Sequence, residues 1–182
     1  MNKCIGILLL CFIACTGTAQ HQIENARQPS NRMNSLQFSG LFGASKIGLG
    51  IKYKSLYRIT ESMNIGWGIG IDSYDSGFNR NFVPISVEVL GDLFKEGITP
   101  FYMMSAGYGI ALKEDERFAT ESRGGLMVDF SLGLRSKKYE SQPYISVGYR
   151  FQNAYYEGED EYGNQNKDVI YKRWNVSAGM LF

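Results

Sequence analysis

Six ionisable residues, Lys52, Glu88, Asp129, Arg135, Arg150 and Arg173, each stand in stretches where polar and apolar residues alternate. On one shared low-dielectric face such groups have two uses. They pair into a structural network, because a lone buried charge is strongly destabilising, or they line an ion path. Other chemistry is poorly supplied. The chain has one His, His21, ahead of the alternating stretches, and three Cys, Cys4, Cys11 and Cys15, all before it. A multi-His metal site is excluded, and a nucleophile within the alternating stretches has no His to assist it. Gly48-x-Gly50 and Gly66-x-Gly68-x-Gly70 lack a third Gly at the right spacing and the following helix that a phosphate loop needs, so no cofactor is expected. Their expected role is to make room for larger neighbours. Glu157, Glu159, Asp160 and Glu161 are clustered, but their spacing fits no calcium loop, and no metal is expected. Phe118, Tyr155, Tyr156 and Tyr162 lie in polar stretches and are amphipathic aromatics of the kind that anchors a binding partner. With 19 Lys+Arg against 18 Asp+Glu, there is no basic excess to hold nucleic acid.

The elements that must position these residues are strands. From about residue 36 onward almost every stretch has period two, and no helix-length window repeats at i, i+3, i+4, i+7. Ile65, Trp67, Ile69 and Ile71 alternate with Gly66, Gly68, Gly70 and Asp72. Val83, Ile85, Val87 and Val89 oppose Ser86 and Glu88. Leu126 to Leu134 sets even-numbered apolar residues against Asp129, Ser131, Gly133 and Arg135. Ile145, Val147, Tyr149 and Phe151 oppose Ser146, Gly148, Arg150 and Gln152. Trp174, Val176, Ala178, Met180 and Phe182 oppose Arg173, Asn175, Ser177 and Gly179. With runs at 36–43, 46–58 and 99–112, eight strands are expected. Their connections fall at 43–46, 59–62, 74–81, 94–98, 113–124, 137–142 and 157–168. The third, fifth and seventh are long and polar, and share one rim of an up-and-down barrel; the even-numbered ones are short. A turn centred between Tyr139 and Glu140 sets Asp129 directly opposite Arg150.

Residues 1–19 read as an address. Lys3 is a short positive region, Ile5–Ala14 an apolar run, and Thr16-Gly17-Thr18-Ala19 a small-residue site for a cut before Gln20, the pattern of a secretory signal peptide. Phe12-Ile13-Ala14-Cys15 offers a rival, an imperfect lipidation site at Cys15. The cut removes every cysteine and one basic residue, leaving a chain without net charge. Residues 20–35 are polar and aperiodic and are read as a flexible periplasmic lead, with the barrel over 36–182.

Alternation alone does not separate a soluble barrel, greasy inside, from a membrane barrel, greasy outside. The composition of the faces does. Glycine brings no solubility to a water-facing strand and weakens it, whereas within a narrow closed barrel it leaves space for an Arg or Glu. The opposite face is continuous Ile, Val, Leu, Phe, Tyr and Trp, suited to lipid. Tyr57, Phe94, Tyr102 and Phe182 are expected to form an aromatic girdle at the short-turn rim, and Phe82, Tyr155 and Tyr171 at the other.

On these residues the chain resembles the small eight-stranded outer-membrane barrels of the OmpA/OmpX-like class, over about 36–182. The terminal strand, with Trp174, Val176, Met180 and Phe182, resembles the signal read by the outer-membrane assembly machinery, although Met180 stands where an aromatic is frequent. Val147-Gly148-Tyr149-Arg150-Phe151 resembles a closing strand, here in the penultimate position. The resemblance implies a bacterial outer-membrane location, with membrane lipid and lipopolysaccharide as surroundings. The expected protein is a non-enzymatic, all-β, eight-stranded transmembrane barrel with a side-chain-filled lumen. It would serve envelope structure, or adhesion to an extracellular ligand or surface through its long loops. A narrow pore for ions or small solutes is the alternative, and a soluble lipocalin-like carrier of a lipophile the second.

Overall fold

The computed structural model describes residues 31–182 apart from 45, 76–79, 95–96, 113–120 and 161–162, and of 121–122, 156–160 and 163–167 the backbone alone. The expected signal segment, with Cys15, therefore lies outside the described residues, as do Phe118, Tyr162 and the side chain of Tyr156.

The strand segments are β1 (Arg32–Phe42), β2 (Ile47–Arg58), β3 (Met63–Ser73), β4 (Asn81–Asp92), β5 (Ile98–Ala111), β6 (Glu121–Arg123), β7 (Gly125–Ser136), β8 (Gln142–Asp160) and β9 (Gly163–Leu181). All pairings are antiparallel between neighbours, and β9 pairs with both β8 and β1, so the sheet closes on itself. The segments β6 and β7 both pair with β8 and are separated only by Gly124. They form one interrupted stave, and the closed barrel has eight. At the interruption a Cβ on Gly124 would meet the carbonyl oxygen of Gly109 at 1.7 Å; only glycine permits that approach of two backbones.

Parity sorts the faces as the alternation predicts. Ser86 and Glu88 on β4, Asp129, Ser131 and Arg135 on β7, and Ser146, Arg150 and Gln152 on β8 are buried inside. Ile65, Trp67, Ile69 and Ile71, Leu126 to Leu134 at even positions, and Trp174 and Val176 are exposed outside. The register fixes Asp129 opposite Arg150, the pairing that a turn at Tyr139-Glu140 requires. The first connection is a tight turn closed by the Gly43 N–H donating to the Lys46 carbonyl at 3.1 Å.

Three expectations are corrected. First, 157–168 is not a loop. β8 and β9 run on as a hairpin to Asp160 and Gly163, and Glu121–Arg123, expected within the loop 113–124, pairs with β8 at Glu157–Tyr155. Polar sequence ends a lipid-facing strand but not a hydrogen-bonded ladder, which continues in water without alternation. Second, β1 begins at Arg32, ahead of the expected 36, because both faces at its start are half-wet and carry no parity signal. Third, Phe82 and Tyr171 are not girdle residues: both are buried inside the barrel. Each shares the parity of inward neighbours, Phe82 with Ser86 and Glu88, Tyr171 with Asn175 and Ser177, and that parity outranks position near a rim. Tyr57, Phe94 and Phe182 are exposed outside at the short-turn rim.

Candidate functional site

The lumen is the place where charged side chains converge, and it is built in tiers. At the short-turn rim, Leu56, Leu90, Phe101, Met103, Tyr144 and Leu181 pack as an apolar cluster with Met33 against it. At the long-loop rim, Leu41, Tyr74, Phe82, Ala154 and Tyr171 form a second, flanked by Ala111 and Val169. Tyr74 and Phe82 meet edge to face at 5.3 Å, and Tyr74 lies 4.9 Å from Tyr171. β1, β4, β8 and β9 thus send apolar residues inward near both ends and polar ones at their middle.

Between the two clusters lies the charge. Arg150, fully buried, donates from Nε to Asp129 at 2.7 Å and from Nη1 to Asp72 at 2.5 Å. Asp129 also accepts from Asn175 at 2.9 Å. Asn175 in turn accepts from Ser177 at 2.7 Å, and Ser177 accepts from Gln37 at 2.8 Å. The bonds run without a break from β3 through β8, β7 and β9 to β1. A second group centres on Glu88, whose carboxylate is 3.2 Å from the Lys52 ammonium and 3.3 Å from that of Lys54. Ser86 donates to the same carboxylate at 2.6 Å, while Lys54 also lies 2.8 Å from the Met103 sulfur. Arg135 pairs with Asp92, joined by Lys137 at 2.9 Å, beside the short-turn rim. The inward cations Lys52, Lys54, Arg135 and Arg150 match Asp72, Glu88, Asp92 and Asp129 in number, and the remaining buried carboxylate, Asp75, has the exposed Lys46 as its partner.

Glycines make these contacts sterically possible. Glu88 on β4 reaches the β2 lysines across β3, and a Cβ at Gly68 would stand 2.8 Å from its Oε1. A Cβ at Gly50 would stand 2.1 Å from the Asp72 carboxylate oxygen that lies over it. Arg173 has inward parity but sits at the long-loop end, bonded to the carbonyls of Lys46 and Tyr74 at 3.3 Å each and stacked over Tyr171. Nearby, Lys46 pairs with Asp75.

Five of the six sequence-selected charges are therefore brought into the buried network, while Arg173 caps it. Sequence reasoning missed Asp72, Asp92 and Lys54. All three share inward parity with residues that were chosen, which is the signal that finds them. Of the loop aromatics, Tyr155 is half-buried on β8 opposite Asp168. Of the terminal-strand residues, Trp174 and Val176 face outward and exposed, Met180 is half-exposed, and the Phe182 backbone is doubly bonded to Asn34. Among the described residues, no group of His, Cys, Asp and Glu is disposed to hold a metal ion.

No protein-family model matches the sequence, and no curated protein matches it either. Solved structures do match. OprG, an outer membrane protein of Pseudomonas aeruginosa, superposes with a TM-score of 0.61 at 10% identity, covering 84% of this chain and 96% of that one. The outer membrane protein AlkL, determined in lipid bilayers, gives 0.57 at 11% identity, with 90% and 95% covered. The neisserial surface protein NspA gives 0.51 at 14%, with 82% and 94% covered. At such identities the likeness is one of fold, and it agrees with the polarity of the two faces. The chain is a closed, antiparallel, eight-stranded β-barrel with the fold of the small outer-membrane barrels.

Proposed function

We propose that this protein is a non-enzymatic integral barrel of the bacterial outer membrane whose lumen is sealed, and which acts through its outer surface. Its role is in envelope structure, or in contact with an extracellular ligand or surface made by the projecting β8–β9 hairpin and the adjoining loops. The observation that carries this reading is the tiering of the lumen: apolar clusters at both rims with a paired, charge-balanced layer between them. An ion path favours unpaired charge and water at its mouths, whereas here an apolar cluster stands near each rim and the rim charges beside it, Arg135–Asp92 and Lys46–Asp75, are paired. The exposed belt of Ile, Leu, Val, Trp and Phe suits lipid, the inverse of a soluble lipophile carrier. On this reading the surroundings are membrane lipid and lipopolysaccharide, and the terminal strand through Phe182 is what the assembly machinery reads.

The test is planar-bilayer recording on the refolded protein. Reproducible absence of discrete conductance steps is the expected result. Regular steps would turn the reading to the narrow pore.

A further inference from the structure

We propose that Lys172 is the headgroup contact of a lipid-binding seat on the outside of the barrel, specific for a lipid whose headgroup carries an anionic phosphate. The inference rests on the barrel standing in a membrane.

The outward faces of β2, β3, β4, β5 and β7 carry no charged residue, and nor does that of β8 from Pro143 to Asn153. On β9 the outward positions toward the hairpin are Asp168, Ile170, Lys172 and Trp174, all exposed. Lys172 is thus a lone cation set directly into the greasy belt. It makes no hydrogen bond or ion pair among the described residues. Asp168 is four positions along the strand, roughly 13 Å at strand rise, beyond pairing distance.

The surroundings of Lys172 form an aromatic floor. Phe151 lies directly opposite it on β8, and Tyr149 opposite Trp174. Phe182 exchanges backbone bonds with Asn34 of β1, so the even-numbered residues of β9 aim their N–H and C=O groups toward β1 and away from β8. Lys172–Phe151 and Trp174–Tyr149 are therefore non-hydrogen-bonded pairs, the closer kind for side chains. The ring contacts agree: Tyr149 meets Trp174 edge to face at 5.2 Å and Phe151 at 4.9 Å. Trp174 remains 60% exposed. On the other flank Phe42 of β1 pairs with Trp174, and the β1 ladder stops there. Beyond that stop, the backbone N–H of Lys172 has no strand opposite it among the described residues.

The result is a concerted set: an ammonium on a flexible stem, an N–H beside it with no strand opposite among the described residues, and a platform of Trp174, Tyr149, Phe151 and Phe42 below. A zwitterionic headgroup gains little here, because its own cation cancels the attraction. An anionic phosphate headgroup gains from both donors while its acyl chains lie on the aromatic platform, with the lysine stem snorkelling up to the headgroup level. The site lies at the long-loop end of the barrel, so the lipid belongs to the outer leaflet.

The chain has two tryptophans, Trp67 and Trp174, which gives a direct readout. In a Trp67→Phe background, Trp174 fluorescence is measured in phosphatidylcholine vesicles doped with acyl-brominated phosphatidic acid or, separately, acyl-brominated phosphatidylcholine. The brominated phosphatidic acid should quench with about fivefold preference, the weight of one lysine near an anionic surface. Lys172→Gln should abolish the preference and Lys172→Arg should keep it, with Lys138→Gln at the opposite rim as an unaffected control. Equal quenching by the two lipids in the parent overturns the proposal, and so does a preference that survives Lys172→Gln. Quenching by neither lipid means Trp174 is not in the bilayer, which rejects the membrane reading itself.

Discussion

Arg150 is held by two carboxylates from two strands, Asp72 and Asp129, and is itself 1% exposed. Replacing it with Met would leave both carboxylates buried without a cation. Removing one partner of a buried pair costs about 3–5 kcal/mol, so Arg150→Met should lower the urea midpoint of unfolding in detergent or vesicles by that equivalent. An unchanged midpoint would mean that water, rather than Arg150, solvates the two aspartates. Gly68 carries a second residue-scale prediction. A side chain there meets the Glu88 carboxylate, and overpacking of this kind costs about 1–3 kcal/mol. Gly68→Val should destabilise by that amount, whereas Val at outward-facing Ala106 on β5 should not. The Asp129–Arg150 contact is legible in the sequence because it is local to one turn. The Asp72 contact is not: its strand lies across the lumen, and which strands face each other there depends on stagger and closure rather than on sequence neighbours.

Among the elements, β8 and β9 are the anomaly, since they keep a single register from Gln142–Leu181 out to Asp160–Gly163. Among the described residues, the outer part of this hairpin pairs with itself and with the short β6. Excising Tyr156–Asp160 together with Gly163–Lys167 removes equal lengths from both strands, so every remaining β8–β9 pair keeps its partner and its face, and only Glu121 and Ser122 of β6 lose theirs. The trimmed protein should refold with the parent's urea midpoint and the parent's heat-dependent shift in gel migration, while losing whatever surface contact the hairpin makes. A fall in the midpoint would show that the extension braces the barrel. The hairpin escapes the sequence because the signal that reveals strands is the contrast between lipid and lumen. Past the membrane both faces meet water, and the strand persists while its pattern disappears. Inside the membrane the same signal is enough to place all eight staves. It misleads only where rim position is preferred to parity, at Phe82 and Tyr171.

For the whole molecule, the seam between β1 and β9 sets the order in which the fold can form. Asn34 and Phe182 exchange both backbone hydrogen bonds, at 2.8 and 2.9 Å, and Gln37 bonds Ser177 across 140 residues of chain. Every other stave is joined to a neighbour by one intervening turn or loop, so hairpins can assemble locally and early. The seam has no such help, and contacts of long sequence separation form slowly because the loop entropy must be lost first. Until it zips, the sheet presents two bare edges, and an unpaired edge is a template for pairing with other chains. The stretch from Gln37 and Ser39 to Ser177 therefore acts as a clasp whose fastening time sets how long the nascent barrel is exposed to mispairing.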